Sequence, residues 1–157
     1  MKPYTGPFEN PSFASQIESV NMSPMIACFS GEITADKGGY PIGAARFAGH
    51  ISDVWITVEG SGKDDTNPLS MAANAYINGV SCLTTPPAIA HVSGEASAQK
   101  STVSTGDTGI TQAVVNSSAN QFSAGDIITV GLTMTRTASP TTEMANACVV
   151  VEIMPDV

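Results

Sequence analysis

Positive charge is what this chain has least of. Six Lys and Arg stand against fourteen Asp and Glu in 157 residues, a net charge of −8. The cations Lys2, Lys37, Arg46, Lys63, Lys100 and Arg136 are scattered and form no stripe. Nucleic-acid binding relies on clustered cations that neutralise phosphates, so DNA and RNA are set aside as partners. Charge of either sign is low, at 13% of residues, about half the usual share. Polarity comes instead from Ser, Thr, Asn and Gly, the residues of strand faces and turns. A surface this poor in charge is one that another molecule can cover.

Long apolar runs are also missing. None reaches the roughly 20 residues of a membrane helix, so no membrane contact is expected. The opening "MKPYTGPFENP" has no apolar stretch of the kind a signal peptide needs. Asn21 and Asn116 head glycosylation sequons, read here as chance matches. The three cysteines, Cys28, Cys82 and Cys148, are odd in number and widely spaced, with no CxxC pair. That usage is unlike a disulfide framework and fits synthesis in a reducing cytosol. Cys82 and Cys148 sit in apolar runs, where free cysteine acts as a small buried hydrophobe.

The residues of common active sites are sparse too. His50 and His91 are the only histidines and lie far apart in sequence. Zinc or a His-based catalyst would require close acidic or thiol companions. "GSGKDD" ends like a phosphate loop, but Asp64 follows Lys63 where Ser or Thr is required. Thr57 also stands where the first glycine belongs. Asp64, Asp65 and Asp107 lack the alternating oxygen ligands of an EF-hand and read as turn aspartates, with calcium at a loop or between subunits left open. No GxSxG elbow occurs. The expectation is a non-enzymatic protein with no catalytic residues, no cofactor and no metal site.

What is present is β pattern. In "HISDVWITVEG", Val54, Ile56 and Val58 share a face opposite Trp55, Thr57 and Glu59. "MAANAYING" sets Met71, Ala73, Ala75 and Ile77 against Asn74 and Tyr76. "GDIITVGLTMTRT" alternates Ile128, Val130, Leu132 and Met134 with threonines. "GITQAVV" predicts a shorter strand, while "GSGKDDTNP" and "NSSAN" predict loops. The last run, "ANACVVVEIM", is apolar on both faces around Val149–Val151. Such a strand is central in its sheet, or its outer face meets another subunit. Asn78-Gly79 supplies the positive φ angles of a two-residue turn, and Pro86-Pro87 should then carry the chain out into a loop. Short strands at this spacing imply an all-β sandwich or barrel.

Residues 1–45 read differently from 46–157. Pro3, Pro7, Pro11 and Pro24 punctuate the segment, interleaved with Tyr4, Phe8 and Phe13. Ser12 heads one short helical pattern, "FASQIESV". The segment is either an arm ordered against a partner or a strap across the domain's own core. Trp55, the single tryptophan, either stacks on a sugar or packs against a second sheet or a neighbouring subunit.

From Arg46 to Pro155 the order of features is distinctive as a set. "GHISDVWITVEG" and a polar loop lead to "AYINGVSCLTTPPAI". A Ser/Thr-rich loop, "NQFSAGDIITVGLT" and "ACVVVEIMP" follow. This resembles the jelly-roll modules of bacteriophage virion proteins, which include head decoration (cement) proteins and tail or fibre modules. The likeness covers about two thirds of the chain. The long N-terminal segment and the insertion "SGEASAQKSTVSTGDTG" depart from it and leave the place in the virion open.

The resemblance implies a jelly-roll-like antiparallel β-sandwich over 46–157 with an extended N-terminal arm over 1–45. It implies a virion protein made in the host cytoplasm and placed on the capsid surface. Its partners would be the major capsid protein or another virion protein, and copies of itself in a homo-oligomer, a trimer by the habit of such modules. Tyr4, Phe8, Phe13 and Trp55 are the expected interface residues, since buried aromatics tend to dominate contact energy. A tail, baseplate or fibre component is the alternative within that class. A carbohydrate-binding sandwich that attaches to host glycans is the alternative outside it.

Overall fold

Alternation of β-branched and small polar residues puts one face of each long segment out of water, and among the described residues thirteen strands result. β1 (Met25–Glu32) and β2 (Lys37–Ala44) precede the long β3 (Gly49–Lys63) and β4 (Ser70–Ile77). Short pieces follow: β5 (Val80–Ser81), β6 (Leu83–Thr85), β7 (Ala88–Ala90), β8 (Lys100–Ser101), β9 (Ile110–Thr111), β10 (Val114–Val115) and β11 (Gln121–Phe122). Two long strands, β12 (Ile127–Thr135) and β13 (Thr142–Pro155), finish the fold. The structure is a computed structural model and describes residues 24–137 and 139–156. The described residues contain no helix.

All pairings are antiparallel, and they divide the strands between two main sheets. One has the order β1-β13-β3-β11, with β8 also on β3; the other runs β2-β12-β4-β7-β9, with β5 also on β4. A small ladder joins β6 to β10. The inner faces meet in one core. Val54, Ile56, Val58, Ala147, Val149 and Val151 face inward from the first sheet, opposite Met71, Ala73, Ala75, Ile128, Val130 and Leu132 of the second. Each fully buried aliphatic side chain of this size contributes about 1.5–3 kcal/mol relative to exposure. The chain is an all-β antiparallel sandwich.

Several of the pairings are nested one inside the next. β1 pairs with β13, β2 with β12, β3 with β8, and β4 with β5 and β7. The chain is therefore folded like a long hairpin, rolled so that β1 to β4, and again β11 to β13, alternate between the two main sheets. Its tip is Asn78-Gly79, with φ of 49° and 85°. Both values are positive, as a tight turn compatible with strand twist requires.

Several details differ from the pattern in the sequence. β1 and β2 are strands of the two sheets, so the sandwich takes in residues from 25 onward rather than from 46. Of the arm expected over 1–45, residues 1–23 lie outside the described residues, as do Tyr4, Phe8, Phe13 and the helical pattern after Ser12. The expected loop after Glu59 begins later. β3 runs on to Lys63 because β13 continues beside it, pairing Met144 with Ser61 and Thr142 with Lys63. "GITQAVV" splits into β9 and β10, which pair with different strands. Pro86-Pro87 interrupts the run along β4 without ending it. The Pro87 carbonyl still accepts a bond from the Ala73 N–H at 2.9 Å, and β7 resumes pairing at Ala88.

The largest correction concerns the cysteines. Cys28 and Cys148 form a disulfide between facing residues of β1 and β13, with Cα atoms 4.1 Å apart. Cys148 is therefore no buried hydrophobe. Only Cys82 fits that description: it is fully buried, and burial pushes its thiol pKa up to about 11.

Candidate functional site

The face of the first sheet turned away from the core carries the densest set of unusual features. Because β-strand side chains alternate, the residues between the buried ones of β1, β13 and β3 share this outer face. Register places Ile26, Val150 and Trp55 in one cross-strand row. Ile26 is 56% exposed, Trp55 is half-buried, and Val103 beyond it is 55% exposed. Trp55 and Val103 border a small cavity of about 140 Å³ with Asp53, Thr102, Gln112 and Ala113. An apolar ledge thus crosses the sheet at this level.

The next row contains Cys28, Cys148, Thr57 and Ser101 in that order. Beyond Cys148 the surface opens into a groove of about 540 Å³, whose walls include Glu59, Gln99, Ser101, Asp107 and Asn146. Asn146 lies in β13 opposite the register shift of β1 between Phe29 and Glu32 and takes φ of 52°, a left-handed geometry that Asn tolerates better than most residues. Its side chain accepts a bond from the Gly31 N–H at 2.6 Å and donates to Glu59 at 2.5 Å. One amide thereby ties β1 to β3 across β13. Across the groove, Asp107 accepts the Ser101 N–H at 3.2 Å, and the Thr57 hydroxyl donates to Ser101 at 3.2 Å.

Charge in the groove is negative. Glu59 and Asp107 present carboxylates, whereas the nearby cation Lys100 is almost buried and already occupied. Lys100 donates to Glu95 at 2.7 Å and to the Thr108 carbonyl at 2.8 Å. Lys100, and then the Thr108 hydroxyl, hold the Glu95 carboxyl below the usual carboxylate range. A buried ammonium without such partners would be costly, so this cluster holds the two arms of the long insertion together around β8, which itself pairs with β3.

A second polar cluster fastens the loop after β3. Asp64 accepts the N–H groups of Thr66 and Asn67, each at 3.0 Å, which lowers its pKa. Asp65 accepts the Gly94 N–H at 2.7 Å and pairs with His91 at 2.9 Å and Lys63 at 3.4 Å. The Gly94 bond, then His91 and Lys63, bring the Asp65 pKa down to about 2. His50 pairs elsewhere, with Asp156 at 3.0 Å. The two histidines are therefore in separate clusters. Among the described residues, no three of His, Cys, Asp and Glu are grouped so as to hold a metal ion.

Of the four expected interface residues, the structure places Trp55, on the ledge. Tyr76 lies on the outer face of the other sheet, paired with Thr129, so the two aromatics do not form one platform. Cys28, Asn146 and Gln99 were missed as site residues. Cys28 shares the outward parity of Ile26 in "MIACFS", a signal masked by the flanking Pro24 and Gly31. Asn146 looks like an ordinary strand residue until its backbone angle is seen. Compared with models of known protein families and with curated proteins, the chain matches none.

Proposed function

We propose that this chain is a structural protein of a bacteriophage virion, decorating or cementing the capsid shell as a symmetric oligomer, most simply a trimer. The carrying observation is the winding. First pairs with last, second with next to last, and the fourth strand turns back at Asn78-Gly79, as in the doubled Greek key of a jelly roll. The features that carry the sequence resemblance occupy linked places in that winding: the Asn-Gly tip, the Ala-Gly-Asp turn and the Val-rich closing strand.

The ledge of Ile26, Trp55 and Val103, which flank the buried Val150, is the surface proposed to meet a neighbouring copy or a shell subunit. A charge-poor protein with such a ledge suits a closed oligomer, in which every copy covers the same patch on the next. Tyr4, Phe8 and Phe13 are proposed to anchor the N-terminal segment on the shell.

The test is to add purified protein to undecorated capsids and image them. Stoichiometric knobs at symmetry axes are expected. Absence of binding, at protein concentrations well above that of capsid sites, overturns the decorating role and favours a tail, baseplate or fibre position.

A glycan-binding reading has one observation in its favour, the groove with its Gln99 and Asn146 amides, carboxylates and hydroxyls. Such groups suit a polyhydroxylated ligand. Trp55 does not line that groove, so the aromatic stacking surface usual for sugars would be missing. A glycan array giving no signal disposes of this reading without affecting the first.

A further inference from the structure

We propose that Cys28–Cys148 is a thiol-exchange site. The thiolate of a small thiol that carries no other charge enters the groove and attacks Cys148, opens the disulfide within the folded protein and releases the edge strand β1 from its covalent tie. This inference stands apart from the virion reading and needs no oligomer.

The geometry fixes the direction of attack. Thiol–disulfide exchange proceeds when a thiolate attacks one sulfur and displaces the other, and the attack is in line with the bond that breaks. Register sets Cys28, Cys148, Thr57 and Ser101 in one row, and the groove has Cys148 in its wall. The open space therefore lies on the far side of Cys148 from Cys28. A thiolate in the groove meets Cys148 first, with Cys28 positioned as the leaving group. Cys28 itself is exposed at the sheet edge, so the released thiolate emerges into water.

The chemistry balances with a thiol as the reductant. The thiolate RS⁻ forms a bond to the Cys148 sulfur while the S–S bond breaks, and the electron pair leaves on Cys28, which takes up a proton. A second thiol, or the other arm of a dithiol, then displaces Cys148 as its thiolate. Two thiols are left on the protein, and the reductant has become a disulfide. Closure runs in reverse against a small-molecule disulfide.

Opening affects one strand above all. Among the described residues, β1 pairs in its sheet with β13 alone. Without the covalent tie, the pairing ladder, the Asn146 bridge and the buried Ala27 and Phe29 still hold it. Phe29 also meets Tyr40 of β2 edge-on, with ring centroids 5.2 Å apart. β1 therefore stays in place but opens more often, while β3 and β12 keep their neighbours on both sides.

The charge of the groove sets a preference among thiols. Glu59 and Asp107 repel an anionic reagent, and Lys100 is neutralised by Glu95. At low ionic strength 2-mercaptoethanol should react faster than 2-mercaptoethanesulfonate. The gap should narrow in salt, which screens exposed charges.

The test uses the full chain isolated without thiols. It is exposed under native conditions to each monothiol, quenched with N-ethylmaleimide and mapped by peptide mass. The expected product has the monothiol on Cys148, maleimide on Cys28 and no label on Cys82. After full reduction by dithiothreitol, amide hydrogen exchange should rise within Met25–Glu32 and stay low in β3 and β12. Three results overturn the proposal: a disulfide that opens only in denaturant, a monothiol adduct on Cys28, or exchange that rises across both sheets together.

Discussion

Asn78 and Asp126, 48 residues apart, are joined by a side-chain hydrogen bond of 2.8 Å. The same Asn78 accepts the Ile127 N–H at 2.9 Å, and its own N–H donates to the Ile127 carbonyl at 2.9 Å. Asp126 in turn accepts the Ser123 N–H at 2.7 Å, which with Asn78 lowers its pKa. The tip of the rolled hairpin is thereby fixed to the turn that launches β12. Asn78 serves backbone geometry and long-range contact together.

That double role separates two substitutions. Gly79→Ala puts a Cβ at φ of 85° with open space around it, so only backbone preference is lost, about 1 kcal/mol. Asn78→Gly relieves the backbone but removes the side-chain bonds to Asp126 and Ile127. A lower urea midpoint is expected for both. An Asn78→Gly protein as stable as the parent would show that the cross-turn bonds carry no weight.

Cys28→Ser, Cys148→Ser and the double variant should lose stability by the same amount, about 2–5 kcal/mol. The disulfide spans a sequence separation of 120, so the unfolded chain gains much freedom when it is absent. Thermal or urea unfolding of the three variants checks this. Losses that add in the double variant would mean that the two sulfurs act separately.

Asp65 makes stability depend on pH at the acid end. Its pKa is near 2 in the folded protein, against 3.8 for a free Asp carboxyl. A carboxyl with a depressed folded pKa contributes stability that is complete above the unfolded value and is lost as pH falls through the folded one. Between about pH 4 and pH 2 the unfolding free energy should therefore fall. Asp65→Asn should flatten that part of the profile, while a slope unchanged by the substitution would assign the acid sensitivity to other carboxylates.

Gly49→Ala should destabilise by about 1–3 kcal/mol. A Cβ there would lie 2.2 Å from the Met154 carbonyl oxygen and 2.9 Å from the Phe122 ring. The first is backbone of the neighbouring strand and cannot swing aside. Equilibrium unfolding that shows no loss would mean that β3 and β13 can separate here without cost.

Val103→Asp tests the ledge. Val103 is exposed, so the charge should leave the unfolding free energy within about 0.5 kcal/mol of the parent. Self-association and capsid attachment should both weaken, as read by sedimentation and by capsid imaging. Unchanged behaviour in both assays would remove the ledge from the proposed interface.

The long strands were legible in the sequence because burial on one face imprints period two on twelve or so residues. Val54-Ile56-Val58, Met71 to Ile77 and Ile128 to Leu132 all keep that period into the core. The doubly apolar Val149–Val151 signalled a central strand or one facing another subunit, and β13 lies between β1 and β3. β2 was hidden because it is an edge strand, where Gly38, Gly39, Pro41 and Gly43 are tolerated. The two-residue strands β8 to β11 leave no period at all. The disulfide was illegible because its halves meet only after the whole chain has rolled up, and the odd third cysteine obscured the pair.

The rolled hairpin also decides where mechanical load would travel. The described chain enters through β1 and leaves through β13, and Cys28 and Cys148 are bonded close to both ends. Tension applied between the two ends would pass from one strand to the other through the sulfur bridge. Everything between residues 28 and 148, the tip at Asn78-Gly79 included, lies inside a closed covalent loop and carries none of the pull. Pulled between Met25 and Pro155, the oxidised protein should release only the strand residues outside the loop, 25–27 and 149–155, whereas the reduced one should unravel from the outermost strands inward.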